Sequence, residues 1–185
     1  MIRKFCLWGL IASLSSCAVV RGDEVEVLED VVYGRGGDVA LHLDLAKPTN
    51  AADPAPCIVV IHGGAWRQGD KRGHLREIKS FASQGYVSAT IQYRFCPDHR
   101  FPAQVEDVKC AVRYLRAHAD KYGIDPERIG AIGFSAGAHL SMMLGTMDPT
   151  DGLEGKGGWA DQSSKVQAVV SFFGPTELGA DDIPE

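Results

Sequence analysis

The sequence predicts an α/β fold: a mostly parallel sheet with helices on both faces, opened by an antiparallel hairpin. Three observations predict it. "CIVVIHGG" (57–64) is a continuous apolar run ending in glycines, as a strand buried on both faces requires. Downstream, strand-like and helix-like runs alternate, which implies parallel strands joined by right-handed crossovers. Upstream, "DVALHLDLA" sets Val39, Leu41, Leu43 and Leu45 in alternation with smaller or polar residues, the period of a half-buried strand.

The first 22 residues stand apart from that pattern. Arg3 and Lys4 precede the apolar run "FCLWGLIASL", and the small residues of "SSCAVVRG" follow, so residues 1–22 read as a secretory signal peptide and 23–185 as one domain. The run is too short for a membrane span. Cleavage after Ala18 or Gly22 gives a secreted or periplasmic product. "LSSC" (Leu14 to Cys17) resembles a bacterial lipobox, and a membrane is a partner only if Cys17 is lipidated.

Within the domain, "VEVLEDVVYG" and "DVALHLDLA" form a hairpin around "RGG", and "KPTNAADPAP" is a loop. After the strand "CIVVIHGG", Leu75, Ile78, Phe81 and Ala82 share one helical stripe that Gly85 ends. "YVSATIQYR" is the next strand. Val105, Val108, Val112 and Leu115 then recur at helical spacing between Gln104 and Tyr122, with Gly123 as the stop. "DPERIGAIGF" begins as a turn and becomes a buried strand, "AGAHLSMMLGTM" is the helix behind it, and "VQAVVSFFG" is a last strand. The polar, Gly-rich stretch 148–164 is expected to be a mobile or variable loop.

Composition limits the function. The chain has 45% hydrophobic residues and a formal net charge of −5, and the charged residues lost with the leader, Arg3, Lys4 and Arg21, are all basic. A nucleic-acid partner is therefore not expected, since no basic cluster remains to meet a phosphate backbone. No spacing suits a metal or a calcium loop, and no cofactor is called for. Cys57, Cys96 and Cys110 read as buried thiols, although export leaves a Cys96–Cys110 bridge open.

Gly133-Phe134-Ser135-Ala136-Gly137 matches G-x-S-x-G, between a strand and a helix. That setting makes Ser135 a candidate nucleophile, held at the carboxyl edge of the sheet by a sharp turn that Gly133 and Gly137 permit. His62-Gly63-Gly64-Ala65-Trp66 follows the first buried strand. Acyl transfer builds charge on the carbonyl oxygen, so N–H donors must already point there. Gly63, Gly64 and Ala65 can bring the main chain close enough, and the N–H of Ala136 is a further donor. Alone, "HGGAW" could be a plain turn with a buried tryptophan; the elbow in the matching place argues otherwise.

Other residues read more simply. His62 fixes the shape of its loop rather than acting as a base, and His139, four residues after Ser135, points away from the hydroxyl. His74, His99 and His118 lie in polar segments and are expected to be solvated. Asp107 is expected in a structural salt bridge, Met142, Met143 and Met147 in helix packing, and Trp159 as a surface-anchoring aromatic ahead of a lid or substrate contact.

Together "HGGAWRQGDK", "YRFCPDHRFPAQVEDVKCAVRYLRAHADKYGIDPERI", "GFSAGAHL" and "SFFGPTEL" resemble the α/β-hydrolase superfamily. Within it they are similar to the esterase/lipase branch related to hormone-sensitive lipase and the bacterial feruloyl-esterase-like proteins. The resemblance covers Val25 to Leu178. "HGGAW" lacks the third glycine of lipase-like members, which favours the feruloyl-esterase-like and kynurenine-formamidase-like groups. The resemblance implies a serine carboxylic-ester hydrolase acting on a small-molecule or polysaccharide ester, with acetyl or feruloyl groups as substrates. Amide hydrolysis, as in formamidases or peptidases of this fold, and a non-catalytic binding module are the alternatives.

One part is missing. In this superfamily the order is serine, acid, histidine, yet the last histidine of the sequence is His139, and no acid after Ser135 is followed by one. The resemblance places both groups after strands beyond "SFFGPTEL". The expectation is a C-terminally truncated fold without its last strands and helices, with an exposed apolar edge at "VQAVVSFFG". Losing the base of a serine triad costs on the order of 10⁴- to 10⁶-fold in turnover, so these 185 residues are expected to be inactive.

Overall fold

In the computed structural model, residues 24–50 and 54–179 are described. The expected signal peptide and the Cys17 lipobox lie outside them, as do residues 180–185.

Among the described residues six strands form one sheet in the order β1-β2-β4-β3-β5-β6. The antiparallel hairpin is β1 (Val25–Gly36) and β2 (Val39–Pro48), turned at Gly37 with φ 66°. β2 joins the rest antiparallel to β4 (Val87–Ile91); β3 (Ala55–Ile61), β5 (Ile124–Phe134) and β6 (Ala168–Phe172) complete the sheet in parallel. The turn expected at "DPER" is accommodated inside β5. Its pairing with β3 shifts between Ala55↔Ile124 and Cys57↔Ile129, and Asp125 Oδ1 accepts the Glu127 N–H at 3.0 Å.

Four α-helices among the described residues cover the faces. α1 (Leu75–Ala82) buries Ile78 and Ala82 against one face, with Val60, Ala46 and Phe134. α2 (Ala103–Ala117), α3 (Ala119–Tyr122) and α4 (Ala136–Thr146) follow in order. Val108, Val112 and Leu115 of α2 and Leu140 and Leu144 of α4 join the larger core with Val59 and Ile61. Val59 and Ile61 thus point to one side and Val60 to the other, as a doubly covered strand demands.

Three expectations need correction. β2 is not half-buried: Asp44, on its polar side, is fully buried and pairs with Lys71 Nζ at 2.5 Å, while Lys71 also reaches Asp30 at 2.8 Å. The 104–122 helix is two helices, because His118 leaves helical geometry at φ −111°, ψ 24°; Gly123 then caps the second at φ 70°. The 148–164 stretch is tied down rather than loose. Glu154 accepts from Lys109 and Arg113, both at 2.6 Å, and from Ser164 at 2.8 Å, while Trp159 Nε1 donates to the Tyr33 carbonyl at 2.8 Å. Trp159 is accordingly an anchor, as expected.

β6 forms an edge, and Val170, Phe172 and Phe173 are exposed. Cys57, Cys96 and Cys110 are free, buried thiols. Burial pushes the Cys57 thiol up to about 12 and that of Cys110 to about 11, so neither carries a thiolate near neutral pH.

Candidate active site

The carboxyl ends of β3 and β5 lie side by side, with Ile61 opposite Gly133. That register brings the "HGGAW" loop over the "GFSAG" turn. Ser135 sits at φ 52°, ψ −119°, between the last residue of β5 and the first of α4. A β-carbon is strained at that φ, and such strain persists only where the surroundings enforce it.

The two flanking glycines enforce it. A β-carbon at Gly133 would run into the Gly137 carbonyl, and one at Gly137 into the carbonyls of Ile61 and His62. The Ser135 N–H donates to the Phe172 carbonyl at 3.0 Å, so β6 also holds the turn. Ala136 begins α4, and as its first residue its N–H has no intrahelical acceptor.

The facing loop is equally constrained. A β-carbon at Gly63 would lie 2.8 Å from the Phe134 carbonyl and 3.2 Å from Ser135 Cβ, so the main chain passes directly over the elbow. Gly64, Ala65 and Trp66 then take φ of 120°, 51° and 58°. Two non-glycine residues in succession in the left-handed region mark a second strained segment.

His62 holds this loop from below. Its Nδ1–H donates to the Gly63 carbonyl at 2.7 Å, its ring stacks on Tyr93 at 4.4 Å, and the Tyr93 hydroxyl donates to the His62 carbonyl at 3.0 Å. Burial lowers the pKa of His62, so the ring is neutral near pH 7. Its hydrogen bond goes to the loop and not to the serine.

His139 packs edge-on against Trp66, with ring centroids 5.3 Å apart, and its Nδ1 is buried without a partner among the described residues. Burial lowers its pKa too. No side chain among the described residues hydrogen-bonds the Ser135 hydroxyl.

The expectation for His74 is wrong. It is not solvated but stacked on Phe134 at 4.7 Å, with Nδ1 3.8 Å from Glu77 Oε2. His118 is also packed, against Trp159 at 4.6 Å, with Nδ1 2.9 Å from the Tyr114 carbonyl. Asp107 is in its expected ion pair, accepting from Arg94 Nη2 at 2.8 Å.

Sequence reasoning missed two contributors. Tyr93, just past β4 at the edge where α/β sheets place their sites, pins the His62–Trp66 loop; its position was the available signal. The second is a cavity of about 240 Å³ lined by Trp66, Val105, His139, Leu140, Met143 and Leu178, among others. His139, one helical turn after Ser135 on α4, is part of that lining.

A hairpin feeding a mostly parallel sheet, with a strained serine between its strand and helix, defines an α/β-hydrolase. The sequence profile of the BD-FAE family matches residues 43–183, and the chain belongs to that family.

Known relatives agree. The chain is 37% identical over 148 residues to the probable carboxylic ester hydrolase LipM of Mycobacterium tuberculosis, covering 78% of this chain and 34% of that protein. It is 34% identical over 174 residues to esterase LipC of the same organism, covering 91% and 42%. Among solved structures, the propionate-bound esterase Est2 of Thermogutta terrifontis superposes with a TM-score of 0.72 at 32% identity, covering 87% of this chain and 58% of that one. A truncated carbohydrate esterase from gut microbiota gives a TM-score of 0.75 at 29% identity, covering 88% and 62%. The chain thus spans 34% to 62% of each of these proteins, less than two thirds in every case.

Proposed function

We propose that this chain carries the nucleophile half of a serine carboxylic-ester hydrolase. The observation that carries the reading is Ser135 in its strained turn, directly beneath the Gly63 main chain. Ser135 Oγ attacks the ester carbonyl as its proton passes to a base. N–H groups from the Gly63-Gly64-Ala65 loop and from Ala136 hold the oxyanion. Collapse breaks the bond to the alcohol, which leaves with a proton, and water then releases the acid and restores the serine. His62, Trp66, Gly133 and Gly137 hold the shape of the site.

The base and its acid partner are not among these residues in this reading. His62 spends its proton on the loop carbonyl, and His139 makes no hydrogen bond to the hydroxyl. In the proposal they come from sequence outside the 185 residues. The leader supports a secreted or periplasmic enzyme, anchored if Cys17 is lipidated. Export and the likeness to carbohydrate esterases support acyl groups on polysaccharide as substrates.

Hydrolysis of p-nitrophenyl acetate tests this. The 185-residue chain is expected to turn over no faster than its Ser135→Ala variant. Ser135-dependent turnover well above that control would show that the base is present after all.

A further inference from the structure

A second cavity, of about 520 Å³, shares no lining residue with the one beside Ser135. The first turns of α2 border both: Gln104 and Val105 line the first, Glu106 and Asp107 the second. The rest of the second wall includes Arg35 at the end of β1, Arg94 past β4, and Glu154 and Lys156 of the 149–157 segment. The Arg35 N–H donates to the Gly157 carbonyl at 3.1 Å, which ties the end of β1 to that segment right beside Lys156.

The charges here divide into engaged and free. Arg94 pairs with Asp107 at 2.8 Å and with Glu106 at 3.3 Å, while buried Lys109 and Arg113 meet Glu154 from behind, both at 2.6 Å. Three cations thus balance three carboxylates. Arg35 and Lys156 stand outside this balance, and both are exposed. Among the described residues, the Arg35 guanidinium meets only the Asp38 carbonyl, at 2.8 Å, and Lys156 has no hydrogen bond or ion pair. The surplus on the wall is positive, in a chain of formal net charge −5. An anionic group would supply the charge-assisted hydrogen bonds that these two side chains lack.

Size and surroundings narrow the anion. At about 30 Å³ per non-hydrogen atom, the share of a water molecule in the liquid, the cavity has room for about seventeen atoms. A bare sulfate or carboxylate ion would leave most of it empty, whereas a hexuronate of about 13 atoms or a sulfated hexose of about 16 fits. Bare main chain keeps the space open: a β-carbon at Gly36 would strike the Arg94 guanidinium, and one at Gly155 the Glu106 side chain. A more open recess continues past Arg35 and Gly157 to Trp159, whose Nε1 is held by the Tyr33 carbonyl while 37% of the residue stays exposed. That ring offers an apolar face for the C–H side of a sugar.

We propose that this cavity is a second ligand site, for a sugar unit bearing a fixed anion, either a uronate or a sulfate ester. The anion sits on Arg35 and Lys156 and the sugar extends toward Trp159. Glu106, with one oxygen turned to Arg94, accepts from sugar hydroxyls through the other. The site stands apart from the ester-hydrolase reading; where both hold, it retains an acidic polysaccharide next to the serine.

Calorimetric titration of the 185-residue chain tests this, with trigalacturonate, a sulfated carrageenan oligosaccharide, neutral xylotriose and sodium sulfate as probes. One or both acidic oligosaccharides are expected to bind on the order of tenfold or more tightly than xylotriose and sulfate ion. Whichever does so identifies the anion. Arg35→Ala and Lys156→Ala, both at exposed positions, are each expected to weaken that binding on the order of tenfold. Raising NaCl from about 0.05 M to about 0.5 M is expected to weaken it as well. Ser135→Ala is expected to leave it unchanged. Equal binding of xylotriose overturns the anionic assignment, and equal binding of sulfate ion overturns the sugar. Binding that survives both cation substitutions, or is lost in Ser135→Ala, overturns the location. No binding by any probe overturns the site, whatever the hydrolysis of p-nitrophenyl acetate shows.

Discussion

Ser135 keeps a side chain where glycine would be the easier residue. At φ 52° the strain belongs to the β-carbon, not to the hydroxyl. Removing the hydroxyl alone should therefore relieve nothing. Ser135→Gly is expected to be more stable than Ser135→Ala by about 1 kcal/mol, read from urea unfolding midpoints. Equal stability would mean the turn is not strained. The motif made this residue legible, because a turn between strand and helix is encoded locally. The histidines around it were not legible in the same way. His74 looked solvated from its polar neighbours, yet the sheet brings Phe134 beneath its ring.

The same histidines set a pH dependence. Burial lowers the pKa values of His62, His74 and His139 below that of an unfolded histidine, about 6.5. The unfolded chain therefore binds more protons below that pH. Stability is complete above about pH 6.5 and falls as pH drops, by up to about 1.4 kcal/mol per pH unit for each group. His74→Phe, which keeps a ring against Phe134, is expected to flatten the slope between about pH 5 and 6.5. An unchanged slope would show that His74 is not held neutral.

At the scale of elements, α2 and the 148–164 segment are joined through ions. Lys109 and Arg113 are buried on α2, and both end on Glu154. Burial pushes the Glu154 carboxyl up, but hydrogen bonds from Lys109 and Ser164 outweigh it, leaving its pKa below the usual carboxylate range. This stabilisation is present above the unfolded carboxylate pKa, about 4.3, and is lost as pH falls through the lowered folded value. Glu154→Gln leaves two buried cations without their counter-charge, and is expected to cost about 3 kcal/mol in urea unfolding at pH 7. A loss below about 0.5 kcal/mol would mean that the segment is held by other contacts. Glycine and acidic content suggested a loose loop here. Its partners lie about forty residues away, where local pattern cannot reach.

For the whole molecule, the alternation of strands and helices made the parallel sheet legible, and two short motifs marked the site. The cavity was not legible, because Cys96, Phe101 and Gln104 meet Met143 only through tertiary packing. The apolar strand "VQAVVSFFG" was readable as an edge, and the structure exposes Phe172 and Phe173 there. In the proposed mechanism two groups of the chemistry lie outside these residues, a proton acceptor for Ser135 and the acid that orients it.

Adding that acceptor from solution is the most direct measurement of the central claim. p-Nitrophenyl acetate hydrolysis by the 185-residue chain is compared with Ser135→Ala, with and without millimolar imidazole. The account predicts identical rates without imidazole and a faster rate for the Ser135 chain with it, after subtracting the imidazole-only reaction. No Ser135-dependent difference with imidazole would contradict the role of the serine. A large difference without imidazole would contradict the absence of the base.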